Sequence, residues 1–143
     1  MEEFEKLIQR VEKTEHGFLS ILKEAENIKD SNDVKDCVII SKKLFLSKIP
    51  QARMLSTFIL GFIAFESKEA LNFLRDSVSK DKDWRVQEIL AKSFDRFCFD
   101  TGYENAMSII EDWLSDQSPN VRRAVTEGLR IWTGREYFKD HPT

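Results

Sequence analysis

Residues 71–97, LNFLRDSVSKDKDWRVQEILAKSFDRF, align without a gap on residues 106–132, AMSIIEDWLSDQSPNVRRAVTEGLRIW, at an offset of 35 residues. Each segment has the pattern of a helix, a short turn that contains aspartate, and a second helix. A two-helix unit of this length is typical of HEAT-type and related α-solenoids. The matched pairs are Leu71 with Ala106, Leu74 with Ile109, Val78 with Trp113, Asp81 with Asp116, Val86 with Val121, Ile89 with Ala124, Leu90 with Val125, Phe94 with Leu129 and Phe97 with Trp132.

Apolar residues recur at helical spacing along almost the whole chain, and no alternating strand pattern competes with them. Residues 31–33, Ser-Asn-Asp, can cap a helix, and Pro50 and Pro119 suit the first turn of one. The fold class predicted is therefore all-α, a HEAT-like α-α superhelix of stacked antiparallel helix pairs. The predicted helices span residues 3–13, 17–29, 33–46, 51–65, 68–79, 83–98, 103–115 and 119–133.

The length of 143 residues fits a single domain over residues 1–143. We expect acidic capping helices in residues 1–30 and repeats over residues 33–65, 68–98 and 103–133. A two-helix unit cannot bury its apolar face alone, so stacking of the units makes the core. Because the last unit has no cap of its own, we expect this layer to favour a homo-oligomer or a protein partner.

The net charge of −3 arises in residues 1–30, which hold eight acidic and five basic side chains, while the remainder of the chain is balanced. A strongly basic nucleic-acid binder is therefore excluded, and any contact with nucleic acid must come from a local basic patch. No secretory signal and no apolar run long enough for a membrane span is present, so we expect a soluble, cytoplasmic protein. Cys37 and Cys98 form no CxxC motif and are expected to be reduced, packed thiols.

Metal and nucleotide motifs are absent from the sequence. His16 and His141 are isolated, and no phosphate-binding loop, nucleophile elbow or zinc-protease motif occurs. The sequence therefore predicts no metal and no cofactor.

The predicted helix 83–98 has a polar face of unusual composition. Trp84, Glu88, Lys92 and Asp95 fall together on the side opposite the apolar residues. Trp84 there either covers the neighbouring layer or offers an aromatic platform to a base or a deoxyribose. The two carboxylates allow two interpretations as well, because either can stabilise a developing cation or form an ion pair with the next repeat.

The ion-pair interpretation comes from the offset of 35 residues. It places Glu88 opposite Arg123 and Asp95 opposite Arg130, which predicts a charge ladder between adjacent helices. The helix 119–133 is also the most basic part of the chain. Its arginines are either a solvated surface or a phosphate-contacting one. They are Arg122, Arg123 and Arg130, followed by Arg135.

Several of these segments resemble DNA alkylation repair proteins of the AlkC/AlkD group. The resemblance lies in DWRVQE at 83–88 with Phe94-Asp95, GYE at 102–104 and PNVRRAVTEGLRIW at 119–132. It implies a HEAT-like solenoid whose concave face holds damaged double-stranded DNA. It also implies excision of N3- or N7-alkylated purines without cofactor or metal. One branch of the group has an aromatic residue followed four residues later by Asp, and Trp84 and Glu88 match that spacing with Glu in place of Asp.

Two functions from different classes follow. The first is a DNA glycosylase, with Trp84, Glu88 and Asp95 as catalytic residues. The second is a non-catalytic HEAT-like module that binds protein or nucleic acid, which the acidic net charge and the charge ladder favour. The residues expected to contact DNA are Arg85, Arg122, Arg123, Arg130 and Arg135.

Overall fold

The computed structural model describes residues 2–133, and every regular element in that range is helical. The prediction of an all-α, HEAT-like stack is thereby confirmed. The elements are α1 (Glu2–Glu12), α2 (Leu19–Ser31), α3 (Val34–Phe45), α4 (Pro50–Ile63), α5 (Lys68–Asp76), a 3-10 turn (Val78–Lys80), α6 (Trp84–Thr101), α7 (Met107–Leu114) and α8 (Pro119–Thr133).

The helix boundaries follow local sequence signals. The Asp33 carboxylate accepts a hydrogen bond of 2.8 Å from the backbone N–H of Asp36, so the predicted cap of α3 is confirmed. Helices α4 and α8 begin at Pro50 and Pro119, as predicted. Helix α6 ends at Gly102, whose φ of 91° is rarely adopted by residues with a side chain.

Three boundaries differ from those predicted. The helix predicted over 68–79 ends at Asp76 and continues as the 3-10 turn, while α6 extends to Thr101 rather than 98. The helix predicted over 103–115 begins only at Met107, because the preceding residues form a turn closed by hydrogen bonds. In that turn the Asn105 side chain donates to the Thr101 carbonyl, which competes with helical bonding.

The second helices of the pairs form one layer and the first helices another. Helix α6 packs between α4 and α8, so the predicted neighbours 83–98 and 119–133 are indeed adjacent. The first helices are joined by ion pairs, Lys42 of α3 with Glu69 of α5, and Arg75 of α5 with Asp112 of α7 at 3.3 Å. The stack is thus held at the offset that the sequence repeat indicates.

The turn within each pair is built in the same way three times. A Ser or Asp side chain accepts a hydrogen bond from the backbone N–H two residues later, and its carbonyl accepts one from the side chain six residues later. These contacts satisfy polar groups at the turn and set the angle at which the second helix leaves it. The turn residues and their side-chain donors are Ser47 with Arg53 at 3.0 Å, Asp81 with Gln87 at 2.7 Å and Asp116 with Arg122 at 2.6 Å.

The most buried element is α4, which is enclosed by α1, α2, α3, α5 and α6. The ring of Phe18, which precedes α2, lies 5.7 Å from that of Phe58 on α4. Helices α1 and α2 therefore cover one side of the second-helix layer and leave the side beyond α6 uncovered. None of the helices in the described range has the length and apolar character that a membrane span requires.

Candidate nucleic-acid interface

A groove of about 860 Å³ lies between α6 and α8. The turn before α6 closes one end of it, and the small side chains of Ala91 and Ala124 line it beside the charged ones. Its basic side chains outnumber its acidic ones by five to three. The charged residues that line it are Lys80, Lys82, Lys92, Arg123 and Arg130, with Asp81, Glu88 and Glu127.

Trp84 stands at the edge of this groove. It is the first residue of α6, and 70% of its surface is exposed. An indole that covered a neighbouring layer would be largely buried, so the packing interpretation of this residue is wrong. Glu88, one turn later on the same side of the helix, also lines the groove. The structure therefore keeps the aromatic ring and the carboxylate together on an open surface.

Asp95 does not share that surface, and its prediction as an outward-facing residue is wrong. It is only 4% exposed, and the hydroxyl of Tyr103 donates a hydrogen bond of 2.7 Å to its carboxylate. The reason is the approach of α8. A Cβ on Gly128 would lie 3.1 Å from the Ala91 carbonyl oxygen and 3.6 Å from the Asp95 backbone nitrogen. Because the two helices come so close at this point, α8 covers the part of α6 that bears Asp95.

The predicted charge ladder is also replaced by other contacts. Arg130 pairs with Glu127 on its own helix, at 3.1 Å. Among the residues that the structure describes, Glu88 and Arg123 line the same groove but form no ion pair with each other. Glu88 thus keeps an exposed, uncommitted carboxylate.

The structure separates the arginines predicted to bind DNA. Arg123 and Arg130 line the groove, whereas Arg122 bonds to the Asp116 carbonyl and lies off the groove. Arg85 is held by the carboxylate of Asp83 at 3.0 Å. Arg135 lies outside the described residues.

Sequence reasoning missed Lys80 and Lys82, which flank Asp81 in the turn before α6. Arg53 pairs with Asp81 at 2.7 Å, and the side chains of this pair are only 18% and 5% exposed. The acid between the two lysines is therefore neutralised from below, which leaves both ammonium groups at the mouth of the groove. The aspartate-containing turn was visible in the repeat, but its position at the groove was not.

Two titratable groups near the groove have shifted pKa values. Hydrogen bonds from Arg85 lower the pKa of Asp83, because they stabilise its carboxylate form. Burial raises the pKa of Cys98 to about 12, with the nearby Asp95 acting in the same direction. Within residues 2–133 no group of three His, Cys, Asp or Glu side chains is arranged to hold a metal ion.

The chain is similar to two solved structures. AlkD2 from Streptococcus mutans superimposes with a TM-score of 0.91 at 42% sequence identity, covering 99% of this chain and 68% of that one. The crystal structure of smu.31 from Streptococcus mutans UA159 gives a TM-score of 0.84 at 41% identity, covering 97% of this chain and 68% of that one. No family model matches the chain, and no curated protein matches it.

Proposed function

The chain belongs to the AlkC/AlkD-like family of HEAT-like DNA alkylation repair proteins, and we propose that it binds damaged duplex DNA along the groove between α6 and α8. We propose further that it excises cationic N3- or N7-alkylated purines as a DNA glycosylase. The observation that carries this proposal is the exposed Trp84 beside Glu88 on the wall of a basic groove.

The charge of the groove supports contact with the phosphate backbone. Lys80, Lys82 and Arg123 have no ion-pair partner among the described residues, so their charges are available to phosphates. These three and the Arg130–Glu127 pair border a single groove. Contacts of this kind position a duplex without reading its sequence. That is sufficient for a protein that recognises a lesion rather than a site.

The chemistry needs few catalytic groups. An N3- or N7-alkylated purine already carries a positive charge, so it leaves without protonation by a general acid. The N-glycosidic bond breaks, its electron pair neutralises the purine ring, and the sugar acquires oxocarbenium character. Water then adds to the anomeric carbon and loses a proton, which leaves a free alkylpurine and an abasic site. A single carboxylate that stabilises the sugar cation and orients the water is enough.

Glu88 suits this role because its carboxylate is exposed to the groove and has no ion-pair partner among the described side chains. A carboxylate paired with arginine would be partly neutralised and would stabilise a cation poorly. The indole face of Trp84, one turn earlier, would pack against the sugar and favour its developing positive charge. Asp95 is buried against Tyr103 and takes no part in this mechanism.

An excision assay tests the proposal. A duplex that contains N7-methylguanine would be incubated with the protein, and the released base would be measured against an undamaged duplex. We expect release above spontaneous depurination, and Glu88→Gln to lower the rate by about 10² to 10³, the usual effect of removing one group that stabilises transition-state charge. The control is Glu111→Gln, which changes an exposed carboxylate on α7, away from the groove. An unchanged rate in Glu88→Gln would remove this residue from catalysis.

A non-catalytic binding module is the second candidate, and the net charge of −3 favours it. Such a module would bind duplex DNA through the same groove and release no base. Its affinity would fall with salt by ~0.9 units of log K per phosphate contacted for each unit of log salt. The charge-reversal variants Arg123→Glu and Arg130→Glu should weaken binding under either function. Binding without excision by the unmodified protein would therefore leave the module as the function.

A further inference from the structure

A second, smaller recess of about 120 Å³ lies on the other side of Trp84 from the groove. The loop between α1 and α2 forms one wall with Glu15, His16 and Phe18, and Trp84 and Glu88 form the other. Trp84 and Glu88 therefore border both cavities. This loop brings side chains from the beginning of the chain to the residues that we propose to be catalytic.

The two cavities differ in electrostatic character. The groove has more basic than acidic side chains, whereas the recess combines the carboxylates of Glu15 and Glu88 with the aromatic rings of Phe18 and Trp84. Its only arginine, Arg85, is held by hydrogen bonds to Asp83. Carboxylates and aromatic faces together favour a cation, and two aromatic faces favour a flat one.

Phe18 is held in place and already attracts a cation. Its ring lies 5.7 Å from that of Phe58 in the core, which fixes its position. The ammonium group of Lys92 lies 4.7 Å from the ring centroid, within the range of a cation–π contact. The wall of the recess is therefore preorganised, and its aromatic surface is electrostatically suited to positive charge.

We propose that the recess receives the flat cationic ring of the alkylated purine, turned out of the duplex, while the groove holds the phosphate backbone. At about 120 Å³ the cavity is much smaller than a site for a drug-sized ligand and is suited to one ring system. Turning out a damaged base costs less than turning out a paired one, which adds selectivity. This inference rests on the proposed function, because it names the part of the same substrate that enters the recess.

Nucleoside binding tests the inference apart from DNA. The probes are 7-methylguanosine, whose ring is cationic, guanosine, which is neutral, and tetramethylammonium, which is cationic but not flat. We expect chemical shift changes around Trp84 with 7-methylguanosine, and binding of the other two to be at least about tenfold weaker, the usual order of a desolvated cation–π contact. Equal binding of 7-methylguanosine and guanosine, or of 7-methylguanosine and tetramethylammonium, would overturn the inference.

Variants locate the binding in the recess. Glu15→Gln alters an exposed loop residue and should weaken 7-methylguanosine binding about threefold, while Phe18→Leu should weaken it about tenfold. Arg123→Gln, which alters the groove only, should leave nucleoside affinity as it is and weaken duplex binding. Loss of nucleoside binding in Arg123→Gln but not in Glu15→Gln would place the base in the groove and contradict the inference.

The excision assay keeps the two proposals distinguishable. Excision by a protein that does not bind 7-methylguanosine would leave the glycosylase function standing and overturn the recess as its base site. Binding of 7-methylguanosine by a protein that excises nothing would support the recess and overturn the glycosylase.

Discussion

The interface between α4 and α6 and the interface between α6 and α8 are equivalent in the repeat, yet one is closed and the other open. At the first, Ser93 donates a hydrogen bond of 2.9 Å to the Thr57 carbonyl beside Gly61, and α2 covers the junction. At the second, the helices approach closely at Gly128, but a groove of about 860 Å³ opens beside them.

The difference shows that the repeat determines how second helices pack, while their neighbours determine whether the junction is core or surface. The N-terminal helices bury the face of α4 with residues such as Ile21, Ala25 and Phe18. The corresponding face of α6 remains exposed at Trp84 and Glu88, which can then contact a ligand. A functional surface thus arises here from an uncovered repeat position, and three substitutions probe the contrast.

The largest effect is expected at the ion pair that connects α4 to the turn before α6. Arg53→Met should destabilise the protein by about 3 kcal/mol, because it leaves the carboxylate of Asp81 buried and unpaired. The equivalent Arg122→Met in the last repeat should cost only about 0.5 kcal/mol, since Arg122 is exposed and donates only to a carbonyl. Denaturant unfolding of both variants measures the contrast. Equal losses would show that the two repeats are equally closed.

A smaller effect is expected at the glycines where the helices touch. Gly61→Ala places a Cβ 2.5 Å from the Ser93 hydroxyl and 2.9 Å from its Cα, so we expect a loss of about 1–3 kcal/mol. Gly128→Ala meets the Ala91 carbonyl at 3.1 Å, and a gain of about 1 kcal/mol in helix propensity offsets the milder clash. The melting temperature should therefore fall clearly for the first variant and little for the second. The reverse order would mean that the α6–α8 interface is the tighter one.

The smallest effect is expected at the N-terminus of α6, which both interfaces share. Asp83 accepts hydrogen bonds from the backbone and side chain of Arg85, and its pKa is lowered. A lowered pKa in the folded state stabilises the protein above the ordinary pKa of aspartate and loses that contribution as pH falls through the folded value. Asp83→Asn keeps a capping side chain but removes the charge, so it should cost about 1 kcal/mol near neutral pH.

The comparison with unmodified protein must then be repeated in acid. The difference between Asp83→Asn and the parent should vanish at low pH, where the carboxylate is protonated. A stability difference that is constant with pH would show that the charge of Asp83 contributes nothing.

Much of the fold could be predicted because its signals are local or periodic. The cap at Asp33, the starts at Pro50 and Pro119, and the alignment of residues 71–97 with 106–132 all correspond to observed features. The helical wheel also placed Trp84 and Glu88 together correctly, since residues four apart share a side of a helix.

The sequence by itself determined the helix pairs, the offset at which they stack and the pairing of an aromatic ring with a carboxylate. These properties depend on residue type and spacing within single helices. Only the tertiary structure decided that Asp95 lies beneath α8, that Lys80 and Lys82 reach the groove, and that the loop bearing Phe18 faces Trp84. The physical reason is that exposure depends on what packs over a helix face, and those neighbours come from segments far away in the chain.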